Sequence, residues 1–306
     1  MTAYILRRIL SLIPIWLGIS FIVFMIMQLV PGDPAVMVAG LDATEEEVEN
    51  VRQYLGLNDP WYEQYWRFVS NAVQGDFGKS SISRRPVLDE IKDRFPKTVQ
   101  LAVAGLVVST TLGVTAGVIS ATRQYSVLDN IVMVLALLGV SMPVFWLGLM
   151  MMIVFSVNLG WLPTSGTGTW KHLVMPGVAL GLGSAGIVAR QTRAAMLEQL
   201  EQDYMRTAIA KGLRWRVAVR RHALRNAAIP SVTVVGLQFG GQLGGAVITE
   251  TVFAWPGMGD LIVTAVKFRD IQVVQAGILI LSTIFVLVNL AIDVLYAYLD
   301  PRIKYV

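Results

Sequence analysis

Long apolar segments are the feature that most constrains this chain. Six stretches are almost free of charge, at residues 9–30, 99–121, 131–157, 173–189, 229–249 and 271–292. About 20 apolar residues in a helix cross the ~30 Å hydrocarbon layer of a membrane. Only 15% of the residues are charged, whereas soluble domains carry about a quarter. The sequence therefore predicts an all-α polytopic membrane protein with six transmembrane helices.

The first apolar segment has one alternative interpretation. Arg7 and Arg8 precede it, as basic residues precede the apolar core of a secretory signal peptide. The segment is longer than a typical signal core, however, and no clear small-x-small cleavage site ends it. A first transmembrane helix is the favoured interpretation.

Basic residues between the spans predict the orientation, because lysine and arginine in short loops stay in the cytoplasm. Arg7, Arg8, Arg123, the stretch 196–228 and Arg302 all fall on one side of the membrane if there are six spans. Both termini are then expected in the cytoplasm, with the long segment after the first span outside.

That long segment, residues 31–97, is predicted to form a small extracytoplasmic cap. Thr44 and Glu47 have the spacing of a capping box, so residues 45–55 are expected to form a short helix. Residues 61–73 are rich in aromatic side chains, which suits a helix near the lipid headgroups. We expect the cap to bind or gate rather than to catalyse. The expected parts of the chain are residues 1–30, 31–97 and 98–306, the last with five helices and a cytoplasmic loop at 196–228.

Two glycine-rich stretches look like nucleotide-binding motifs but fail their tests. Gly75-Asp-Phe-Gly78-Lys79-Ser80 ends like a P-loop, yet the first glycine of that pattern is replaced by Val73. Gly181-Leu-Gly183-Ser-Ala-Gly186 matches a dinucleotide fingerprint but lies inside an apolar span, where small residues let helices pack closely. With no cysteine and two isolated histidines, the chain is expected to have no catalytic residue, no metal site and no cofactor of its own.

Polar residues in the last two spans form stripes at helical spacing. Polar groups inside a bilayer are expensive, so they usually face a cavity or another helix. Each could simply form hydrogen bonds between helices, but together they favour a solute path. Gly236, Gly240 and Gly244 lie on the other side of the fifth span and are expected to pack tightly. The path candidates are Gln238, Gln242, Glu250, Ser282, Asn289 and Asp293.

The stretch between the fourth and fifth spans has more structure than a basic loop requires. Asp203 can cap a helix that begins at Tyr204, and Gly212 can end it. A helix of two turns is not stable in water unless it packs on something. Ala208 and Ala210 keep it slim, which suits a groove in another protein. Attraction to anionic lipid would explain the basic residues alone.

This stretch also resembles a known family. Asp203-Tyr-Met-Arg-Thr-Ala-Ile-Ala-Lys-Gly-Leu213, followed by His222-Ala-Leu-Arg-Asn-Ala-Ala-Ile-Pro230, is similar to the signature loop of permease subunits in binding-protein-dependent ABC importers. The variant is that of the dipeptide, oligopeptide and nickel subfamily, and the order of segments resembles the first of its two permeases. Further motifs that carry the resemblance are Leu29-Val-Pro-Gly-Asp-Pro34, Tyr54-Leu-Gly-Leu57, Gly75-Asp-Phe-Gly78, Glu250-Thr-Val-Phe-Ala-Trp-Pro-Gly-Met-Gly259 and Asp300-Pro-Arg302.

The resemblance implies a type I importer permease in the bacterial inner membrane, which transports di- or oligopeptides and is not an enzyme. Its implied partners are a second homologous permease subunit, two cytoplasmic ATPase subunits that bind ATP and magnesium, an extracytoplasmic solute-binding protein and membrane lipid, with no nucleic acid. The residues implied in ATPase coupling are Asp203, Tyr204, Thr207, Ala208, Ala210, Lys211, Gly212 and Leu213.

Three alternatives stay open on sequence alone. Asn71-Ala-Val-Gln-Gly-Asp-Phe-Gly78 and Ser83-Arg-Arg-Pro86 are similar to glutathione-import permeases in particular. Some members of the resembled family carry nickel chelates. A stand-alone channel or secondary carrier is a different class of transporter, but such carriers often show internal repeats, and this sequence has no clear one.

Overall fold

The computed structural model of the 306-residue chain describes residues 2–29, 33–40, 43–54 and 56–299. These residues form helices and connecting turns, with one isolated antiparallel bridge between Lys79 and Pro86. The π-helical turns Met152–Asn158 and Val219–Ala223 extend the α-helices that end at Met151 and Ala218. The α-helices are α1 (Thr2–Leu29), α2 (Pro34–Ala39), α3 (Glu45–Tyr54), α4 (Trp61–Val73), α5 (Val87–Thr122), α6 (Val127–Ser141), α7 (Val144–Met151), α8 (Lys171–Leu200), α9 (Asp203–Ala210), α10 (Trp215–Ala218), α11 (Leu224–Val252), α12 (Met258–Lys267) and α13 (Ile271–Leu299).

The predicted all-α membrane architecture is confirmed. Within the described residues, four helical segments are long and apolar enough to cross a membrane. A fifth is added if the bent pair α6 and α7 counts as one span, and Leu10–Ile26 is a shorter apolar stretch within α1. The count of six spans therefore stays a prediction. The four long segments are Val87–Thr122, Lys171–Leu200, Trp215–Val252 and Ile271–Val294.

The third predicted span, residues 131–157, is not one continuous helix in the structure. α6 ends at Ser141, Met142 is extended with a ψ of 127°, and α7 begins directly after Pro143. Proline lacks a backbone N–H and disfavours helical conformation in the residue before it, so the helix stops here. The two halves are bent by 102°.

The short helices of the outer segment follow their local signals. Thr44 accepts a hydrogen bond from the Glu47 N–H at 3.3 Å, and the Glu47 carboxylate accepts one from the Thr44 N–H at 2.8 Å. This reciprocal pair confirms the capping box at the start of α3. The aromatic stretch forms α4 over the predicted residues, and the ring of Tyr65 packs with its centroid 5.5 Å from those of Phe21 and Phe24 in α1.

The chain forms two compact units. The first contains Met1–Lys97 and Pro256–Val286, and its core packs Val87 and Ile91 with residues of α12 and α13. The second contains Thr98–Trp255 and Leu287–Val306. α8 lies at the centre of the second unit, packed against α6, α7 and α11. Of its most apolar window 61% is buried, against 28% for each of the other three long segments.

Close glycine contacts explain how the second unit packs around α8. A Cβ on Gly186 would lie 2.1 Å from the carbonyl oxygen of Ala136 in α6, and a Cβ on Gly181 would lie 2.6 Å from that of Gly105 in α5. Backbones approach this closely only where no side chain intervenes. The stretch Gly181–Gly186 is therefore a helix-packing surface and not a nucleotide site.

Candidate functional site

The helix α9 lies between the long helices α8 and α11, where a coupling helix was predicted. Asp203 is its first helical residue rather than its cap, so that prediction is wrong by one position. Gln202 takes the cap position, with an extended backbone and no side-chain hydrogen bond to the helix. The Asp203 carboxylate is exposed and lies 3.8 Å from the Arg206 guanidinium. It still suits this end of the helix, because a negative charge is favoured at a helix N-terminus.

The predicted end of α9 at Gly212 is confirmed. Gly212 has a φ of +85°, a left-handed conformation that glycine adopts without steric cost. Its N–H donates to the carbonyl of Ile209 at 2.9 Å, and the Leu213 N–H donates to that of Ala208 at 3.1 Å. These bonds close the helix and turn the chain towards α10.

One side of α9 is fixed within its own chain. Met205 is 1% exposed and belongs to an apolar group that we name the coupling cluster. Tyr204 and Leu213 pack against this cluster, and the Tyr204 hydroxyl donates to the Gln199 side chain in α8 at 2.9 Å. The coupling cluster comprises Ala121, Ala195, Met196, Met205, Ala218, Val219, Ala223 and Ala227.

The other side of α9 is exposed. Ile209 follows Met205 by one helical turn, so it lies at the margin of this side; it is 43% exposed, and Ala208 is half-buried. The Thr207 hydroxyl donates to the Asp203 carbonyl at 3.0 Å, so it is satisfied within the helix. This side carries two cations, Arg206 and Lys211, beside small and apolar side chains. The exposed residues on it are Arg206, Thr207, Ile209, Ala210 and Lys211.

A buried ion pair that sequence reasoning missed lies one turn of α8 away from the coupling cluster. Arg193 donates to the Asp129 carboxylate through two nitrogens, at 2.9 and 2.7 Å, and to the Ser120 hydroxyl at 2.9 Å. The same carboxylate accepts the Tyr125 N–H at 3.0 Å. Asp129 is 2% exposed. The pair connects α5 and the start of α6 to α8. Charged residues at the margins of apolar spans are the sequence signal from which this ion pair could have been predicted.

The polar stripe of α11 faces other residues of the second unit. Gln242 is 3% exposed, and its side-chain nitrogen lies 3.4 Å from the Ser109 hydroxyl in α5. Glu250 is fully buried and accepts a hydrogen bond from Thr98 at 2.6 Å. Within the described residues, the Gln242 side-chain oxygen and the Thr249 hydroxyl have no hydrogen-bond partner. The stripe thus forms a buried polar seam between α5 and α11.

The remaining path candidates are less buried. Gln238 is half-buried in α11, as are Asn289 and Asp293 in the second unit and Ser282 in the first. Their role in a solute path stays a prediction.

The glycine side of α11 packs closely at Gly236, and Gly240 on the same side is buried. A Cβ on Gly236 would lie 3.0 Å from the Ile292 side chain. Around Gly244, no described atom comes within 4 Å of such a Cβ. The expected tight packing of this side therefore holds at Gly236 and not at Gly244.

Two family matches cover most of the chain. Residues 1–102 match the family described as the N-terminal part of a membrane component of binding-protein-dependent transport systems. Residues 113–305 match the inner membrane component of binding-protein-dependent transport systems. The chain is 48% identical over 305 residues to the glutathione transport system permease protein GsiC of Escherichia coli K12, with 100% of both chains covered. The same values apply to GsiC of Shigella dysenteriae serotype 1.

Solved structures share the fold at low sequence identity. An inward-facing structure of the MetNI methionine ABC transporter matches with a TM-score of 0.57 and 20% identity, over 69% of this chain and 96% of that one. An amino acid ABC transporter crystallised with histidines matches with a TM-score of 0.52 and 14% identity, over 70% and 94%. The arrangement of helices is therefore that of type I ABC importer permeases.

Proposed function

The chain belongs to the family of inner membrane components of binding-protein-dependent transport systems, and on that premise we propose its solute and its coupling route. It is a multi-pass permease component of an ABC importer and not an enzyme. The family implies partner ATPases and a solute-binding protein. We place both termini in the cytoplasm and pair the chain with a second, homologous permease, so that each forms half of the pathway.

Glutathione is the solute that we propose first. The 48% identity to GsiC runs through the whole chain, and that relative is named for glutathione transport. Glutathione is itself a short peptide with free charged ends, so the same architecture suits the di- and oligopeptides expected from the family resemblance. Those peptides are the second candidate. The chain offers no dedicated metal ligands for a nickel chelate beyond its two isolated histidines.

Coupling to ATP hydrolysis is assigned to α9. The observation that carries this assignment is the division of its surface. Met205 anchors one side in the coupling cluster, Ile209 lies exposed at the margin of that side, and the opposite side is exposed at Arg206, Thr207 and Ala210. A partner ATPase that holds this side in a groove can bias the permease between outward- and inward-facing states, because a nucleotide-dependent contact shifts a two-state equilibrium. Hydrolysis itself takes place on the partner.

The coupling assignment is tested by Ile209→Glu, in the complex reconstituted with its partner permease, ATPases and binding protein. Ile209 is exposed, so the variant is expected to fold, but a carboxylate in an apolar groove should release the ATPase. Val217→Glu in α10 is the matched control, because Val217 is 44% exposed. We expect Ile209→Glu to abolish solute-stimulated ATP hydrolysis and ATPase co-purification, with the control unaffected. Normal values for Ile209→Glu would refute the assignment.

Solute identity is tested in the same vesicles by uptake of labelled glutathione in competition with dipeptides and tripeptides. Saturable, ATP-dependent glutathione uptake that excess dialanine does not reduce supports the first candidate. Uptake of dialanine with none of glutathione supports the second and overturns the first.

A further inference from the structure

The first unit contains a cleft that has no part in the proposed coupling through α9. Its volume is about 640 Å³, within the range of small-molecule sites. It is formed by the end of α1, α3, α4, the turn after α4 and the start of α13, all of which belong to the first unit. α4 contributes Gln64, Arg67, Phe68 and Asn71, whose spacing of three and four residues places them along one side of the helix.

Charges of both signs line the cleft. The charged lining residues are Arg52, Arg67, Asp33 and Asp76. Arg52 is paired with Asp33 and with Glu49, and Arg67 is paired with Asp59. Burial acts to raise the pKa of Asp33, but hydrogen bonds from Arg52 and from the Ala35 N–H outweigh it, so this pKa lies below its ordinary value. The carboxylate therefore stays charged near neutral pH. The lining thus presents groups of both signs, which suits a ligand that carries both charges.

Side-chain amides make up most of the remaining polar lining. Gln64 is already fixed, since its nitrogen donates to the carbonyls of Leu57 at 3.1 Å and Asp59 at 2.8 Å. Within the described residues, the side chains of Asn71 and Gln275 form no hydrogen bond. A ligand with peptide bonds satisfies such groups, because an amide both donates and accepts. Phe68 and other aromatic rings add apolar surface.

Arg67 lines the cleft, and its guanidinium occupies space that a side chain at position 56 would fill. A Cβ on Gly56 would overlap the guanidinium of Arg67, and Gly56 has a φ of +63°. The Asp59 carboxylate pairs with the same guanidinium. A ligand carboxylate at this place would share the Arg67 guanidinium with its present acceptors, in the charge-assisted bonds that guanidinium groups form with carboxylates.

Asp76 supplies the opposite charge. One of its oxygens accepts the Gly78 N–H at 2.9 Å, which fixes the turn after α4. The side chain is exposed and lines the cleft, so its charge is accessible to a ligand.

We propose that this cleft is a binding site for a zwitterionic, amide-bearing solute, a short peptide with free ends or glutathione. The site rests on the proposed function, since it holds the transported solute on the permease itself. Arg67 and Arg52 face the carboxylate end, Asp76 faces the ammonium end, and Asn71 and Gln275 bind the peptide bonds between them.

The ligand ends are tested on the unmodified permease–ATPase complex in lipid nanodiscs, without the binding protein. The probes are trialanine with free ends, glutathione, and trialanine acetylated and amidated at its ends. We expect saturable binding of the first two in the millimolar range. The capped peptide should bind at least roughly tenfold more weakly, the factor that loss of one charge-assisted hydrogen bond gives. Equal binding of capped and free peptide, or no saturable binding, overturns the proposal.

The position is tested by Asp76→Asn, which retains an oxygen for the Gly78 N–H and removes the charge. Glu46→Gln is the matched control, because Glu46 is exposed on α3 and does not line the cleft. We expect Asp76→Asn to weaken binding of the free peptide roughly tenfold and the control to leave it unchanged. Equal affinities of both variants overturn the site.

Two further measurements separate the proposal from its alternatives. One alternative is transport without a solute site in this cleft, and the other is a cleft that docks the binding protein. Uptake of glutathione or peptide with the binding protein and ATP, combined with no binding to the isolated complex, overturns the cleft and leaves the transport function standing. Absence of any uptake removes the proposed function as well. Protection of the cleft by the binding protein alone, with no free peptide bound, shows that it holds a loop of that protein and also overturns the proposal.

Discussion

Gly186→Ala is the substitution whose effect the structure defines most closely. The added Cβ would lie 2.1 Å from the Ala136 carbonyl oxygen and 2.6 Å from a methyl carbon of Val140, both in α6. Normal contacts between carbon atoms are ~3.5–4.0 Å, so α6 and α8 would have to separate by roughly 1 Å. The nearest atom belongs to the backbone, which cannot turn away as a side chain can.

The cost follows from overpacking in a close-packed interior. Extra methyl groups in such sites typically destabilise a protein by about 1–3 kcal/mol. Alanine recovers up to about 1 kcal/mol over glycine through its helix propensity. The net loss is expected to be about 1–2 kcal/mol, which lowers Tm by several degrees, at about 2–4 °C per kcal/mol for a unit of this size.

Gly241→Ala supplies the matched control. Within the described residues, no atom comes within 4 Å of a Cβ at Gly241, so only the gain in helix propensity remains. Thermal unfolding of the isolated permease in detergent measures both variants. We expect Tm to fall for Gly186→Ala and to rise slightly or stay constant for Gly241→Ala. Equal shifts would refute the close approach of α6 and α8 at this position.

Three further substitutions test other parts of the chain. Arg193→Ala leaves the buried Asp129 carboxylate without its ion-pair partner, so we expect the free energy of unfolding to fall by about 3–5 kcal/mol. The yield of folded protein should be lower than for Arg193→Lys, and equal yields would contradict this. Asp270→Ala removes the buried acceptor of the Ser80 hydroxyl, at a cost of about 1–3 kcal/mol, and limited proteolysis should then cut faster within residues 79–86. Gly212→Ala places a side chain at a φ of +85°, which costs about 1–2 kcal/mol and should weaken ATPase binding, whereas unchanged binding would show that the end of α9 tolerates strain.

Local signals in the sequence predicted the helices well. The capping box at Thr44 and Glu47 fixes the start of α3, and the left-handed Gly212 fixes the end of α9. Apolar length located the long helices, because a span needs about 20 residues whatever its neighbours are. The start of α9 was missed by one residue, since Gln202 rather than Asp203 takes the extended cap conformation. Residues on either side of a helix boundary differ only in backbone angles that sequence does not specify.

Contacts between distant residues could not be predicted in the same way. Periodicity showed that Gln242 and Glu250 share a side of α11, but it could not show that α5 covers them through Ser109 and Thr98. The pair of Asp129 and Arg193 joins positions 64 residues apart. Helical spacing identifies which residues lie together on one helix, whereas the helix that faces them depends on packing of the whole unit.

The position of the ion pair bears on how motion at α9 would reach the membrane. Met196 of the coupling cluster lies one helical turn after Arg193, so α8 carries both the support of α9 and the pair to Asp129. A force on α9 must either slide Met205 out of the cluster, break the ion pair, or move α5, α6 and α8 together. The first exposes apolar surface, and the second leaves a buried charge unpaired at a cost of about 3–5 kcal/mol. Joint movement keeps both contacts intact when α10 and the start of α11, which supply Ala218 and Ala227 to the cluster, move as well. We therefore propose that these helices respond to the ATPase together with α5, α6 and α8.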